Sequence, residues 1–261
     1  MKKLIVFMFS IVLLGSCQKE GCTDPLATNY DENATQEDGS CNYINSPYYT
    51  IITDTSFENK LIGIGYDDVI DGKVLTSNIS SIEFLNIGAN NILDFTGIED
   101  FDALTIFSVT GGNVLSNLDL SNNTALERLT CSNNQLTSLD VSQNIALTHL
   151  NCIGNQLTSL DVSQNTALTL LQLNLNQLTS LDVSQNTALT FLDVSDNSDL
   201  SCLNLKNGNN LNLQQPNGFM LGLDNTPNLN CIEVDDPNWA NWSFWTGKNF
   251  SNNCNYPAGC F

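Results

Sequence analysis

Cysteine, histidine and the carboxylates are the side chains in this 261-residue sequence that could carry out chemistry. There are nine Cys residues, one His at His149, and 28 acidic residues against eight basic ones. Serine hydrolases and zinc proteases need motifs such as G-x-S-x-G or H-E-x-x-H, and neither motif occurs here. The carboxylates recur at regular intervals instead of gathering in one segment. The sequence therefore predicts that this protein is not an enzyme.

The first sixteen residues have the pattern of an export signal. Lys2 and Lys3 precede an apolar stretch from Leu4 to Leu14. This stretch is too short for a mature membrane-spanning helix and is typical of a signal peptide over residues 1–16.

The residues that follow the signal resemble a bacterial lipobox, because Leu14-Gly15-Ser16 leads directly into Cys17. The resemblance implies that Cys17 carries diacylglycerol and anchors the protein in a membrane. Residues 17–20 would form the lipidated Cys and a short charged tag, similar to the export tags of Bacteroidota surface lipoproteins. We therefore expect a lipid-anchored protein of the outer membrane, at the cell surface. An ordinary secretory peptide with an incidental Cys is the alternative.

Residues 21–43 form a small module framed by two cysteines. Cys22 and Cys41 enclose turn formers, acids and amides with only a few apolar groups. Such a segment cannot build a hydrophobic core, which predicts a Cys22–Cys41 disulfide. The motif C-T-D-P-x-A-x-N-Y…D-G-S-C resembles a short module that recurs in secreted Bacteroidota proteins.

The same module contains a candidate calcium site. Its oxygen ligands precede Gly39 and are supplied by Asp31, Asn33, Glu37 and Asp38. Carboxylate and amide oxygens are the ligands that Ca²⁺ prefers. The alternative is that these side chains cap their own turns, since no Glu stands where an EF-hand would need one.

One phrase returns every 21 residues from residue 126 onward, so that apolar positions coincide in successive copies, as at Leu139 and Leu160. Earlier in the chain it returns after 22 residues, as from Leu85 to Phe107. Apolar and polar residues alternate within it as they do in a strand. The spacing predicts about seven stacked coils, because one coil has too few apolar side chains to offset the entropy lost in ordering its backbone.

The phrase contains L-x-x-L-x-(C/L/V)-x-x-N, the leucine-rich-repeat strand motif. From Asp54 to Cys254 the pattern resembles the repeats of internalin-type adhesins and of Bacteroidota surface proteins. The resemblance implies a β-rich solenoid: a right-handed leucine-rich-repeat coil with parallel strands, a short N-terminal helical cap and a C-terminal cap closed by a disulfide. The second half of each coil, L-T-S-L-D-V-S-Q-N, forms either a second parallel sheet or a column of extended turns.

Two columns of asparagine follow the repeat, and we interpret them as structural because amides can bond backbone groups that turns leave unpaired. They are Asn134, Asn155, Asn176 and Asn197, and Asn123, Asn144, Asn165 and Asn186. Cys131 and Cys152 occupy an inward position that Leu173 and Val194 take in later coils. This equivalence predicts buried thiols, with a disulfide between neighbouring rungs as the alternative.

The segments that flank the repeats are predicted to cap the open ends of the solenoid. The linker and N-terminal cap comprise residues 44–80, the repeats residues 81–223, and the C-terminal cap residues 224–261. A short helix is expected over Ser56–Gly63. The loop after it contains three acids that either cap turns or hold a cation, namely Asp67, Asp68 and Asp71.

The C-terminal tail resembles the closing element of the same repeat proteins, which implies a Cys231–Cys254 disulfide. Three tryptophans are expected to cover the last rung, or alternatively to form a platform for sugars: Trp239, Trp242 and Trp245. The pairing of Cys202 and Cys260 stays open.

The two sides of the repeat differ in how much they vary between coils of this chain. The T-S-L-D-V-S-Q-N side is nearly the same in three coils, whereas the outward positions of the strand motif differ. A row of apolar residues flanked by polar ones is typical of a recognition surface, and drift between duplicated coils is the alternative. The predicted ligand-binding face comprises Arg128, Thr130, His149, Asn151, Ile153, Leu170, Gln172, Phe191 and Asp193, with Leu175 beside it.

The net negative charge of the chain argues against one class of partner, nucleic acid. The formal charge is −20, and without Lys2 and Lys3 only six of the eight basic residues remain against 28 acidic ones. Such a body repels phosphate backbones, so we expect no nucleic-acid partner. One column of acids on the invariant side is expected to be solvated or screened by cations: Asp119, Asp140, Asp161 and Asp182.

The sequence as a whole predicts a monomeric cell-surface protein that binds a protein or glycan ligand in adhesion or recognition. No cofactor is expected apart from the calcium option above. The alternatives are a structural spacer without a specific ligand and an accessory subunit of an outer-membrane glycan-uptake system.

Overall fold

The computed structural model describes residues 19–25, 27–41, 48–88, 91–111, 114–210, 214–215, 218–219, 221–238, 247–256 and 260. The chain divides into two compact units, Met1–Pro47 and Tyr48–Phe261. The predicted signal peptide, Cys17 and the three tryptophans lie outside the described residues. Within the described part of the chain, no helix has the length and apolar character needed to cross a membrane.

The first unit is held together by its disulfide. Strand β1 (Glu20–Gly21) pairs in parallel with β2 (Gln36–Glu37). Cys22 is buried and is bonded to Cys41 with a Cα–Cα distance of 4.7 Å. The predicted bridge is therefore present.

The second unit begins with a cap that covers the first coil. Strand β3 (Tyr49–Ile51) pairs antiparallel with β4 (Lys73–Leu75), and two helices, α1 (Thr55–Gly63) and α2 (Thr76–Ile79), lie next to these strands in sequence. The side chain of Asp54 accepts hydrogen bonds from the first amides of α1, as an N-cap residue does. The buried carboxylate of Glu58 accepts three more from the backbone of residues 71–73, which fixes the loop between α1 and β4.

The cap differs in part from the prediction. The helix was expected, but the β3–β4 pair was not, because its strands are three residues long and far apart in sequence. In the loop, Asp67 accepts from the amide of Asp68 and Asp71 from that of Lys73. These bonds fit the turn-capping interpretation of the acids.

The remaining strands follow one another along the coils. In chain order they are β5 (Phe84–Ile87), β6 (Ile106–Val109), β7 (Arg128–Thr130), β8 (His149–Asn151), β9 (Leu170–Gln172), β10 (Ser180–Asp182), β11 (Phe191–Asp193), β12 (Cys202–Asn204), β13 (Gln214–Gln215), β14 (Gly218–Phe219), β15 (Leu221–Gly222), β16 (Cys231–Glu233) and β17 (Asn249–Ser251). A short 3₁₀ helix covers Ile98–Asp100.

Two parallel sheets result from this order. The longer sheet has seven strands in the spatial order β5-β6-β7-β8-β9-β11-β15, and the shorter one has four in the order β10-β12-β16-β17. β13 and β14 form a separate antiparallel pair. The predicted leucine-rich-repeat solenoid with parallel strands is confirmed.

The shorter sheet resolves the two interpretations of the second half of the coil. Ser138–Asp140 and Ser159–Asp161 have no strand pairing, whereas the corresponding Ser180–Asp182 is a strand. Ser159–Asp161 and Ser180–Asp182 have the same residues, so the residue types do not decide the difference. β10 pairs with Cys202–Asn204 of the next coil, and extended turns therefore give way to a sheet only in the C-terminal coils.

The core is a stack of apolar side chains that continues through all coils. One register position of the longer sheet is buried in all seven strands, from Leu85 to Leu221, as are Leu139, Leu160 and Leu181 in the second half of the coil. Cys131 and Cys152 are fully buried free thiols with their sulfurs 3.3 Å apart. The hydrogen bond from Cys131 and the burial raise the pKa of the Cys152 thiol well above its usual value. The predicted buried thiols are confirmed.

The asparagine columns bond one coil to the next. Asn176 Nδ2 donates to the carbonyls of Cys152 and Leu173 at 2.9 and 3.0 Å, and its Oδ1 accepts from the Leu157 amide at 3.1 Å. Asn155 and Asn197 make the equivalent three bonds. The predicted structural role of these amides is confirmed.

The C-terminal cap is fastened by two disulfides and two polar side chains. Cys231 is bonded to Cys254, as the resemblance implied, and Cys202 to Cys260, a pair that the sequence left open. Tyr256 donates to the Leu203 carbonyl and accepts from the Glu233 amide, and burial raises its pKa to about 12. Lys248 donates to the carbonyl and hydroxyl of Thr226.

We predict that Asn176→Ala lowers the free energy of unfolding by about 2–4 kcal/mol, because the buried Leu157 amide loses its acceptor and two carbonyls lose a donor. Gln177→Ala is the matched control, because Gln177 directly follows Asn176 and is exposed. We expect it to change the free energy of unfolding by no more than about 0.5 kcal/mol. Urea unfolding followed by circular dichroism measures both values. Equal stability of the two variants would contradict a role for this amide in joining the coils.

Candidate binding face

The outward side chains of the longer sheet form two continuous columns. The first column takes the first residue of six strands, β5 to β9 and β11, and strand register places its members side by side: Phe84, Ile106, Arg128, His149, Leu170 and Phe191. The second column takes the third residue: Asn86, Ser108, Thr130, Asn151, Gln172 and Asp193. The structure therefore brings eight of the nine predicted face residues into two adjacent columns, and Ile153 lies in the turn after β8.

Each column is longer than the sequence prediction, which began at Arg128. Phe84 and Ile106 extend the first column by two rungs, and Asn86 and Ser108 extend the second. The repeat spacing could have predicted this extension. Leu85, Phe107 and Leu129 are 22 residues apart, and the residue before each of them belongs to the first column. With rungs about 4.8 Å apart, the first column extends over roughly 24 Å.

The strand geometry explains why these side chains point outward. Successive residues of a strand point to opposite faces of its sheet, and the buried residue between the two columns fills the core. Phe84 and Arg128 are exposed, whereas Leu170 and Phe191 are half-buried instead of fully exposed as the sequence suggested. At a spacing of about 4.8 Å neighbouring side chains of a column cover part of one another.

The two columns differ in how far their polar groups are already paired. In the second column Asn151 donates to Gln172 at 3.0 Å and accepts from Ser132 at 2.7 Å. Asp193 accepts from the amide of Ser195 at 3.0 Å. The first column consists mainly of apolar side chains, with one guanidinium and one imidazole. It therefore offers apolar contact, while the second column forms a preorganised polar border.

His149 is the titratable group at the centre of the first column. Its Nδ1 lies 2.9 Å from the hydroxyl of Thr148. Burial and, to a smaller extent, the charge of Arg128 lower the pKa of the imidazole. The lowered pKa favours the neutral imidazole, which can exchange hydrogen bonds with a ligand without adding a charge.

A row of left-handed turns borders the second column. We call it the turn ladder, and its members all have positive φ: Gly111, Asn133, Gly154, Leu175, Asp196 and Asn225. The amides of Asn133, Gly154, Leu175 and Asp196 each donate to a carbonyl of the following coil at 2.7–3.0 Å. Leu175 is 52% exposed, and Ile153 is half-buried next to Gly154.

The predicted calcium ligands of the first unit are engaged locally. Asp31 accepts from the amide of Asn33 at 2.9 Å and forms an ion pair with Lys19 at 2.5 Å. Glu37 accepts from the amide and hydroxyl of Thr23, and Asp38 from the amide of Ser40. These bonds lower the pKa of all three carboxyls. They fit the turn-capping interpretation, and calcium binding stays a prediction.

A second acidic feature lies on the invariant side of the repeat. Each carboxylate of this column accepts a hydrogen bond from the serine amide two residues later, at 2.8–2.9 Å: Asp119, Asp140, Asp161 and Asp182. These bonds lower the pKa of Asp119, Asp140 and Asp161. The four carboxylates of the column therefore close the turns of the coil.

The solved structures that this chain is similar to have the same architecture. The functional domain of InlJ from Listeria monocytogenes, described as including a cysteine ladder, is 31% identical with a TM-score of 0.57, and the match covers 72% of this chain and 38% of that one. Internalin C2 from Listeria monocytogenes is 16% identical with a TM-score of 0.51, covering 77% of this chain and 92% of that one. No protein-family model matches the chain, and no curated protein does.

These comparisons agree with the strand pairing and the periodic core. The chain has the leucine-rich-repeat solenoid fold, and these two solved structures are of the internalin type. It spans 38% of the length of the InlJ domain.

We predict that Arg128→Gln raises the pKa of His149, since the neighbouring positive charge disfavours the imidazolium. In the wild type the folded pKa is lower than the unfolded value of about 6.5. The contribution of His149 to stability is therefore complete above the unfolded pKa and is lost as the pH falls through the folded pKa. NMR titration of the single histidine measures the pKa, and urea unfolding at several pH values measures the stability, with Lys206→Gln as a control at a position outside the two columns. A pKa unmoved by Arg128→Gln would contradict the placement of these two side chains side by side.

Proposed function

We propose that this chain is a recognition protein that binds a protein ligand through the first column of the longer sheet. The observation that carries the proposal is the continuity of that column: six adjacent rungs present mainly apolar side chains on a chain with a formal charge of −20. Folding alone does not require apolar groups there, because the core is already filled from the other side of the strands.

The composition of the column supports contact with a partner. Aromatic residues and Arg are enriched at protein interfaces, and truncating them has the largest effects on affinity. Phe84 and Phe191 lie at the two ends of the column, with Arg128 between them. The similarity to internalin-type leucine-rich-repeat structures also supports a recognition role.

A surface location completes this proposal. The lipobox-like sequence before Cys17 supports an exported, lipid-anchored protein, and the three disulfides agree with an oxidising compartment. The acidic surface disfavours self-association, which supports a monomer that presents its sheet to a partner at the cell surface.

We predict that replacing Leu170 and Phe191 by Ser reduces binding to cell surfaces by about tenfold or more, because two adjacent apolar anchors of the column are lost. Ile145→Ser is the matched control, since Ile145 is an apolar side chain with 63% exposure in a turn outside both columns. Binding of the full chain to intact cells and to purified mucin is measured by surface plasmon resonance or flow cytometry.

The outcomes of this experiment separate the candidate functions. Loss of binding with an unchanged melting temperature supports the proposal, and loss after protease treatment of the target assigns the ligand to protein. Sensitivity to glycosidases instead would assign it to glycan. Full tolerance of the column to substitution would favour a spacer without a specific ligand.

We predict that Cys17→Ser abolishes lipid attachment and membrane association, because Cys17 supplies the one sulfur of the lipobox-like segment to which a diacylglyceryl group can be attached. Expression in a bacterium that exports lipoproteins, with labelled palmitate and membrane fractionation, measures both. Cys152→Val is the matched control because it changes a buried thiol at a position where Leu173 and Val194 occur in later coils. A Cys17→Ser protein that still incorporates palmitate would refute the anchor.

A further inference from the structure

Leu175 differs from every other member of the turn ladder. Its φ is +60°, within the range of 52° to 80° that the ladder spans. The other five members are Gly, Asn or Asp, which are the residues that adopt left-handed backbone with least strain. A leucine in this conformation is an outlier among non-glycine residues.

The turn itself needs no leucine. It needs a left-handed residue whose amide can reach the next coil, and Leu175 donates to the carbonyl of Ser195 at 3.0 Å as its neighbours in the ladder do to theirs. Asn133, at the equivalent position of an earlier coil, makes the same kind of bond, since its amide donates to the carbonyl of Ile153. The side chain of Leu175 is therefore not explained by local structure.

The core does not explain the leucine either. The same coil already contributes the fully buried Leu171 and Leu173. The side chain of Leu175 is 52% exposed instead. It combines backbone strain with apolar exposure, two costs that a small polar residue would remove.

We infer that Leu175 is an apolar anchor for a folded, basic protein that covers the turn ladder, at the C-terminal ends of the strands of the longer sheet. The inference rests on the proposed function and adds the chemistry of the partner. Strained residues persist where the surrounding structure holds them and a function uses them. Half-buried Ile153, which lies next to Gly154 in the preceding rung, adds apolar surface beside the anchor.

Charge complementarity identifies the partner as basic. No Lys or Arg occurs between Arg128 and Lys206, whereas that stretch contains Asp193 of the second column and Asp196 of the turn ladder. Asp196 is the next rung of the turn ladder after Leu175, and Asp224 follows in the coil after it, where its carbonyl accepts from the Asp196 amide. A second copy of this chain carries the same charge and would be repelled, so the partner is a different protein with Lys or Arg around an apolar centre.

The placement of Leu175 favours a folded surface over a single extended chain. Leu170 of the first column and Leu175 of the turn ladder lie five residues apart in the same coil, a span of up to ~17 Å. A partner that contacts both also crosses the second column between them. One extended peptide or one glycan chain, laid along a column, would contact only one of the two.

The experiment compares the full-length wild type with Leu175→Asn, Leu175→Met and the ladder control Asn133→Gly. The probe is a phage library that displays one small three-helix domain with a randomised surface, and selected domains are purified as soluble proteins. We expect selected domains to carry net positive charge. Their Kd for Leu175→Asn should be weaker by about tenfold or more, while Leu175→Met and Asn133→Gly bind within about twofold of wild type.

Thermal melting provides a readout that needs no probe. Leu175→Asn should melt at or above the temperature of the wild type, because the substitution relieves left-handed strain without opening the core. A lower melting temperature would show that Leu175 serves folding and would overturn the inference.

Binding separates the failure of this inference from that of the proposed function. If Leu170 and Phe191 are required but Leu175→Asn is neutral, the column binds without this anchor and the inference is wrong. If the Kd of the selected domains changes neither with substitutions in the first column nor with Leu175→Asn, the proposed recognition face is wrong. Predominantly acidic selected domains, or failure to select any domain against the wild type, would also overturn the basic-partner inference.

Discussion

Each coil of this solenoid completes its core and its backbone hydrogen bonds only through the coil next to it. A rung by itself contains too little apolar surface to fold, and its turns leave amides and carbonyls that the same rung cannot pair. Asn176 shows how neighbours meet that need, because its amide group bonds the backbone of two coils at once. The caps follow from the same constraint: α1 and the β3–β4 pair cover one end of the stack, and two disulfides fasten the other.

This constraint separates positions that serve the stack from positions that are free to vary. Leucines, asparagines and left-handed turn residues must recur because each has a counterpart one rung away. The outward positions of the longer sheet have no such partner in the core, and the six side chains from Phe84 to Phe191 comprise five residue types. The same rigid spacing that limits the scaffold holds these side chains in a fixed column, which lowers the ordering cost of binding.

Much of this arrangement could be predicted from sequence because a period of 21 or 22 residues fixes register directly. It predicted the strands of the longer sheet, the buried thiols and most positions of the two outward columns. What it missed depended on contacts outside the period. Ser159–Asp161 and Ser180–Asp182 have the same residues, and only the second found a strand partner. The strands of the β3–β4 pair are short and lie outside the repeats, so no periodicity predicts their pairing. The Cys202–Cys260 disulfide joins residues that are 58 positions apart. The half-burial of Leu170 follows from side-chain stacking, which alternation within one strand does not describe.

The negative charge of the chain explains why its apolar column can stay exposed to solvent without pairing with the column of another copy. An exposed row of Phe, Ile and Leu on a neutral solenoid would favour pairing of identical chains along their sheets. With a formal charge of −20, two copies repel before their columns meet. Arg128 interrupts the apolar row with the one positive charge among its six members, so two columns that stacked in parallel would also oppose like charges at that rung. The charge that keeps copies apart would also attract the basic partner inferred above, so that one property would serve both repulsion between copies and selectivity.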